Sequence, residues 1–105
     1  SFSEFILSVQ KKINLRKVSI EVENLKDLEI LCKHNPKNIL LDNFSISQIK
    51  TAIKLCSNSK SSIEISGNIT LSNINSFKNL KIDYISIGDL TKNIESIDFS
   101  LLIEK

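Results

Sequence analysis

The sequence contains no tryptophan and no methionine, and it has only one proline, one histidine, two cysteines and two glycines among 105 residues. Its apolar runs, such as residues 39–41, are far too short to cross a bilayer. Two cysteines and one histidine do not supply the four ligands of a structural zinc site. These absences exclude a membrane-spanning segment and a cysteine-based zinc centre.

Strong charge of one sign is also missing. The formal net charge is +2, the lysines are scattered, and no basic run alternates with aromatic residues. A nucleic-acid partner or a membrane surface is therefore not expected. Cys32 and Cys56 fall on the inner faces of two predicted helices, where we expect buried, reduced thiols and hence a cytoplasmic protein.

The residues that are present are typical of one small folded domain, with 41% hydrophobic and 25% charged residues. Apolar spacing predicts strands at residues 18–22, 39–41, 63–65 and 84–87, with a last alternating run at 97–101. Helices are predicted at residues 2–13, 25–32, 46–56 and 71–77, the last three following caps at Asn24, Ser45 and Thr70.

Strands and helices that alternate about every 20 residues are typical of right-handed strand–helix–strand units. The spacing is compatible with a doubly wound sheet and with part of a (β/α) barrel. A complete barrel needs about 200 residues or more, so this chain supplies about half of one.

Polar residues and glycines follow each predicted strand, at the end where both architectures bind ligands. Glu21 and Asp42 end neighbouring strands and could hold Mg²⁺ or ribose hydroxyls, or stabilise a sugar that becomes cationic in the transition state. The two glycines, Gly67 and Gly88, both follow strands, where backbone N–H groups could approach a phosphate. Turn acids and ordinary tight turns are the alternative explanation of these residues.

Five segments, taken in chain order, resemble the signature of one enzyme family. Segments 18–25 (VSIEVENL) and 39–44 (ILLDNF) look like the "EVE-N-L … LLDN" pattern of quinolinate phosphoribosyltransferase, also called nicotinate-nucleotide pyrophosphorylase. Segments 63–70 (IEISGNIT), 84–91 (YISIGDLT) and 97–101 (IDFSL) are similar to that family's "E-x-S-G-G-I", "Y-I-S-V-G-A-L-T" and "L-D-I-S-L". The order and spacing make the set specific, although each segment is weak alone.

The resemblance implies an α/β fold, a partial (β/α) barrel of about four to five parallel strands, in which residues 1–105 are the C-terminal portion of the barrel domain. It implies transfer of phosphoribose from phosphoribosyl pyrophosphate to quinolinate, with Mg²⁺, in NAD biosynthesis, by a homodimer or higher homo-oligomer. Glu21 and Asp42 would then be catalytic residues that contact the ribose and the metal. The phosphate would be bound by Ser66, Gly67, Asn68, Gly88 and Lys92.

Two positions depart from the family pattern, and one group of residues is missing. Asn68 replaces a second glycine, and Lys92 replaces the usual histidine. The family's basic residues for quinolinate do not occur here, and the only arginine, Arg16, precedes the first strand. We therefore expect no catalysis by this chain alone, and the base specificity is left open.

Two other functions are compatible with the residues. A decayed, non-catalytic remnant that binds phosphate or contacts another subunit would explain the departures at Asn68 and Lys92. A signalling receiver would use Asp42 as phosphoacceptor. Receivers, however, separate their acidic pair from that aspartate by an extra strand–helix unit, whereas Glu21 and Asp42 lie on successive strands.

Overall fold

The computed structural model describes residues 1–67, 69–70, 72–87 and 95–99. In this part of the chain the helices and strands are α1 (Phe2–Gln10), β1 (Ser19–Val22), α2 (Leu25–Cys32), β2 (Asn38–Asp42), α3 (Ile46–Leu55), β3 (Ser62–Ser66), β4 (Tyr84–Ile87) and β5 (Glu95–Asp98). Short 3₁₀ helices cover Leu15–Lys17 and Ile74–Phe77.

The strands form one sheet in the order β1-β2-β3-β4-β5. The first four are parallel, with Ile39 opposite both Ile20 and Ile63. A doubly wound sheet reverses its strand order, and this sheet does not. The prediction of a partial (β/α) barrel is therefore confirmed.

The last strand differs from the expectation of an all-parallel segment. β5 pairs with β4 in the antiparallel direction, with Ile97 opposite Ile85. Only residues 88–94 separate the two strands, whereas a parallel crossover needs a dozen residues or more. A return in the opposite direction is the pairing that a connection of this length allows.

Two predicted helix caps are present in the structure. The side chain of Asn24 accepts a hydrogen bond from the Asp27 backbone N–H at 2.8 Å and begins α2. Ser45 and Gln48 form a complete capping box at the start of α3, with backbone N–H to side-chain distances of 2.9 and 3.2 Å. Both caps satisfy amides that would otherwise lack partners in the first helical turn.

The α-helix predicted after Thr70 is wrong, since the described residues there form only the 3₁₀ helix Ile74–Phe77. Thr70 and Asn73 bond to each other instead: the Thr70 N–H donates to Asn73 Oδ1 at 2.9 Å, and the Asn73 N–H donates to Thr70 Oγ1 at 3.3 Å. Short polar side chains compete in this way with helical hydrogen bonds, and Ser72, Asn75 and Ser76 add to their number here.

Residues alternate between two faces of the sheet. The helix-covered face packs against α1–α3 and carries the buried apolar residues of the strands, which are Val22, Ile39, Leu41, Ile63, Ile65 and Ile85, with Ile20 partly buried. The opposite side, which we call the open face, carries Ser19, Glu21, Asn38, Leu40, Asp42, Ser62, Glu64, Ser66, Tyr84 and Ser86. The hydrophobic core of the described residues therefore lies on the helix-covered side of the sheet.

Cys32 and Cys56 form a disulfide, which contradicts the prediction of two reduced thiols. Their burial was predicted correctly, since they are only 8% and 7% exposed. Cys32 ends α2 and Cys56 caps α3, and the two helices pack side by side with the Cα atoms 5.6 Å apart. The pattern of a single helix cannot reveal this pairing between helices.

Arg16 lies at the amino-terminal end of the strands, as predicted. Its Nη1 donates hydrogen bonds to the carbonyl oxygens of Asn35 and Pro36, at 3.0 and 3.2 Å. These carbonyls belong to the turn that leads into β2, far from Asp42 at the other end of that strand. Among the residues that the structure describes, no helix is long and apolar enough to cross a membrane.

Candidate functional site

Three carboxylates meet at the carboxyl ends of β1 and β2. Val22 pairs with Leu41, so Glu23 and Asp42 follow at adjacent positions, and Glu21 lies on the same face two residues earlier. One oxygen of each of Glu21, Glu23 and Asp42 lies within 4.8 Å of the other two. The structure therefore brings together Glu21 and Asp42, the two acids singled out in the sequence, and adds Glu23 to them.

The chemistry of this acidic cluster suits a hard divalent cation. Glu21 and Glu23 are exposed and Asp42 is partly buried, so all three are accessible from the open face. Three negative charges this close repel one another, and an ion held between them would relieve the repulsion. Carboxylate oxygens are the ligands that Mg²⁺ and Ca²⁺ prefer, so these residues fit the metal that the resemblance implies.

Ser66, at the end of β3, is bonded to the acidic cluster. It pairs with Asp42 in the sheet register, and its Oγ donates a hydrogen bond to Asp42 Oδ1 at 3.1 Å. The carbonyl oxygen of Ser66 accepts a hydrogen bond from the Asn43 N–H at 3.0 Å. The ends of β2 and β3 therefore form one continuous polar rim.

Gly67 continues that rim in a conformation that favours glycine. Its φ is +81°, in the left-handed region. A Cβ atom at this position would lie only 2.0 Å from Asn43 Oδ1 and 3.1 Å from the Asn43 backbone nitrogen. The absence of a side chain leaves the backbone of this turn close to the carboxylates, where a phosphate could be bound through main-chain N–H groups.

The remaining predicted site residues, Asn68, Gly88 and Lys92, lie outside the described residues. The second glycine turn and the lysine that replaces a histidine therefore remain sequence-based expectations.

A polar network on the open face was missed in the sequence. Asn38 Nδ2 donates hydrogen bonds to Ser19 Oγ at 2.9 Å and to Glu64 Oε1 at 3.0 Å, and Ser86 Oγ donates to Glu64 Oε2 at 2.7 Å. Asn38 and Ser86 are buried although no helix of the described residues covers this side of the sheet. The available signal was their alternation with buried isoleucines, which puts polar residues of four strands on one face.

Comparison with known proteins identifies the family. Residues 1–102 match the family model described as the C-terminal domain of quinolinate phosphoribosyl transferase. A probable carboxylating nicotinate-nucleotide pyrophosphorylase of Methanocaldococcus jannaschii is 37% identical over 92 residues, which are 82% of this chain and 32% of the relative. The human carboxylating nicotinate-nucleotide pyrophosphorylase is 37% identical over 87 residues, which are 81% and 29% of the two chains.

Solved structures agree with these relatives. The crystal structure of the nicotinate-nucleotide pyrophosphorylase from Ehrlichia chaffeensis superposes with a TM-score of 0.75 at 35% identity, and covers 93% of this chain but 35% of that one. The chain therefore spans about a third of the length of the proteins it matches. By sequence and by fold, it belongs to the family of quinolinate phosphoribosyltransferase C-terminal domains.

Proposed function

We propose that this chain is the C-terminal portion of the barrel domain of a quinolinate phosphoribosyltransferase. The N-terminal domain and the first half of the barrel would lie outside residues 1–105. The enzyme would convert quinolinate and phosphoribosyl pyrophosphate to nicotinate mononucleotide, pyrophosphate and carbon dioxide. The observation that carries the proposal is the acidic cluster at the strand ends, with Ser66 bonded to Asp42 at 3.1 Å.

The residues of the rim have complementary parts in this reaction. Breaking the bond between ribose and pyrophosphate leaves positive charge on the sugar, and the carboxylates of Glu21 and Asp42 would stabilise that charge. Glu23 would join Glu21 and Asp42 in holding a Mg²⁺ ion, whose chemistry would be to supply positive charge to the departing pyrophosphate. The backbone N–H groups at Gly67 would bind the 5′-phosphate, and Ser66 would join them by turning its hydroxyl hydrogen from Asp42 toward the phosphate.

The same proposal holds that this chain is inactive by itself. Quinolinate is a dicarboxylate and needs cations to bind it, and the single arginine is already bonded to the carbonyls of Asn35 and Pro36 at the far end of the sheet. The missing two thirds of the family's length would supply those cations. The complete protein would be a homodimer or higher homo-oligomer in the cytoplasm.

Calorimetric titration of the 105-residue chain with phosphoribosyl pyrophosphate, with and without Mg²⁺, tests the site. We expect binding that requires Mg²⁺ and that Asp42→Asn weakens at least tenfold. The matched control is Glu29→Gln, which removes an exposed carboxylate from α2 and leaves the affinity unchanged. An affinity independent of both Mg²⁺ and Asp42 would contradict the proposal.

Turnover separates the enzyme from its main alternative, a non-catalytic remnant. Quinolinate-dependent pyrophosphate release should be undetectable with this chain alone, and it should appear with the longer protein that contains it. A longer protein that binds phosphoribosyl pyrophosphate but releases no pyrophosphate would favour the remnant. Turnover by the 105-residue chain would overturn the expectation of inactivity.

A further inference from the structure

Asn43, a residue with no assigned role, links the ends of β2 and β3 in addition to the bond between Ser66 and Asp42. Its backbone N–H donates a hydrogen bond to the Ser66 carbonyl at 3.0 Å. Its side-chain oxygen lies in the space that a Cβ of Gly67 would occupy, 2.0 Å from that ideal position. Asn43 therefore contacts both Ser66 and Gly67, the turn that we expect to bind phosphate.

The backbone conformation of Asn43 also matters. Its φ is +58°, in the left-handed region, which asparagine and glycine tolerate better than other residues. This turn directs the chain away from β2 immediately after Asp42 and toward Ser45, the cap of α3. The conformation at Asn43 thus determines where the chain leaves the Asp42 carboxylate.

The two turns depend on each other. In its present position the Asn43 side chain occupies space that a Cβ at residue 67 would need, and Gly67 lies beside it at φ +81°. The Ser66 side chain, between them, is bonded to Asp42. A change in either turn would shift the distance between the carboxylates and the backbone amides at Gly67.

We propose that Asn43 is a positioning residue that sets the spacing between the acidic cluster and the Ser66–Gly67 turn. We expect this spacing to match a sugar phosphate that carries a divalent cation. This choice of ligand rests on the proposed function. The contact between Asn43 and Gly67 does not rest on it, so the two can be tested separately.

A double-mutant cycle tests the contact without any ligand. The variants are Gly67→Ala, Asn43→Gly and their combination, with melting temperatures measured for all four proteins. Gly67→Ala should lower the melting temperature at least twice as much in the wild-type background as in Asn43→Gly, because glycine at 43 removes the clashing oxygen while the φ strain at 67 remains. If Gly67→Ala alone fails to fold and the double variant folds, that outcome supports the same coupling. Equal losses in the two backgrounds would overturn the proposal.

Ligand affinity tests the positioning role. Asn43→Gly keeps a residue that tolerates positive φ but removes the side chain, and should weaken Mg²⁺-dependent binding of phosphoribosyl pyrophosphate about tenfold. The control is Asn35→Gly, at another asparagine of positive φ (+50°), whose side chain accepts a hydrogen bond from the Lys60 N–H at the opposite end of the sheet. It should change the affinity less than twofold.

The outcomes are distinct. Equal affinities of Asn43→Gly and Asn35→Gly would overturn the positioning role. No binding of phosphoribosyl pyrophosphate by the wild-type chain would overturn the proposed function, and the melting cycle would still decide whether Asn43 and Gly67 are coupled.

Discussion

The two faces of this sheet are built from the same strands, yet they have opposite chemistry. On the helix-covered face the strand residues whose burial the structure describes are aliphatic, and Leu41 is fully buried. One residue away, Leu40 is only partly buried among the polar side chains of the open face. The covered face is held by packing, whereas the open face is held by hydrogen bonds that connect four strands.

The difference teaches how the site obtains its geometry. A shift of one residue in strand register would move every buried isoleucine to the open face, so packing on the covered face fixes the register strongly. That register then determines which polar residues become neighbours, including Asp42 beside Ser66. The residues that fix the geometry therefore differ from the residues that would perform the chemistry.

The sharpest test compares the two leucines. Leu41→Ala should lower the free energy of unfolding by about 3 to 4 kcal/mol, because it removes a fully buried side chain and leaves a cavity. Leu40→Ala should lower it by about 1 kcal/mol or less, since that side chain is already partly exposed. Urea unfolding of the two variants measures both values. Equal losses would remove the distinction between the faces.

Reducing the disulfide tests how much stability the covalent link between α2 and α3 adds to that of helix packing. Its sequence separation is 24 residues, for which loop closure predicts about 3 kcal/mol of stability. Dithiothreitol should therefore lower the urea midpoint of the wild-type chain clearly. The control is Cys32→Ala/Cys56→Ala, whose midpoint should be low and should not respond to the reductant. A wild-type midpoint that reductant does not move would contradict this prediction.

Glu64 tests the hydrogen bonds of the open face. Glu64→Ala deprives the buried donors of Asn38 and Ser86 of their acceptor and should cost about 1 to 2 kcal/mol of unfolding free energy. Glu64→Gln keeps one acceptor oxygen and should cost less. The ranking is measured by urea unfolding, and identical stabilities of the two variants and the wild type would show that the network contributes nothing.

Asp42 should give the smallest effect, with the opposite sign. Asp42→Asn removes one of three neighbouring negative charges while its side-chain oxygen can still accept from Ser66. It should therefore raise the unfolding free energy by a few tenths of a kcal/mol at low salt, and less at high salt. Glu29→Gln on α2 is the neutral reference. A destabilised Asp42→Asn would show that repulsion does not dominate the acidic cluster.

Local patterns in the sequence predicted most of the fold. Each strand on the covered face has its own aliphatic residues, and the caps at Asn24 and Ser45 act within a single turn. The errors arose where segments distant in sequence, or competing local bonds, decide the structure: the Cys32–Cys56 pair, and the turn at Thr70 and Asn73.

The candidate site was predictable in part for the same reason. The family resemblance and the strand ends indicated Glu21, Asp42, Ser66 and Gly67. Glu23 and Asn43 needed the register between strands, because their neighbours, Asp42 and Gly67, belong to other strand ends. The residue pattern along one segment does not show which residues of another strand lie next to it.

The covalent link between α2 and α3 has a mechanical consequence. All of β2 and α3 lies between Cys32 and Cys56, so a force that pulls on the two ends of the chain would pass through the sulfur atoms. Residues 33–55, including Asp42 and Asn43, would carry no tension until that bond is reduced. Stretching would extend the chain before Cys32 and after Cys56, and β2, which carries Asp42, would bear no pulling force.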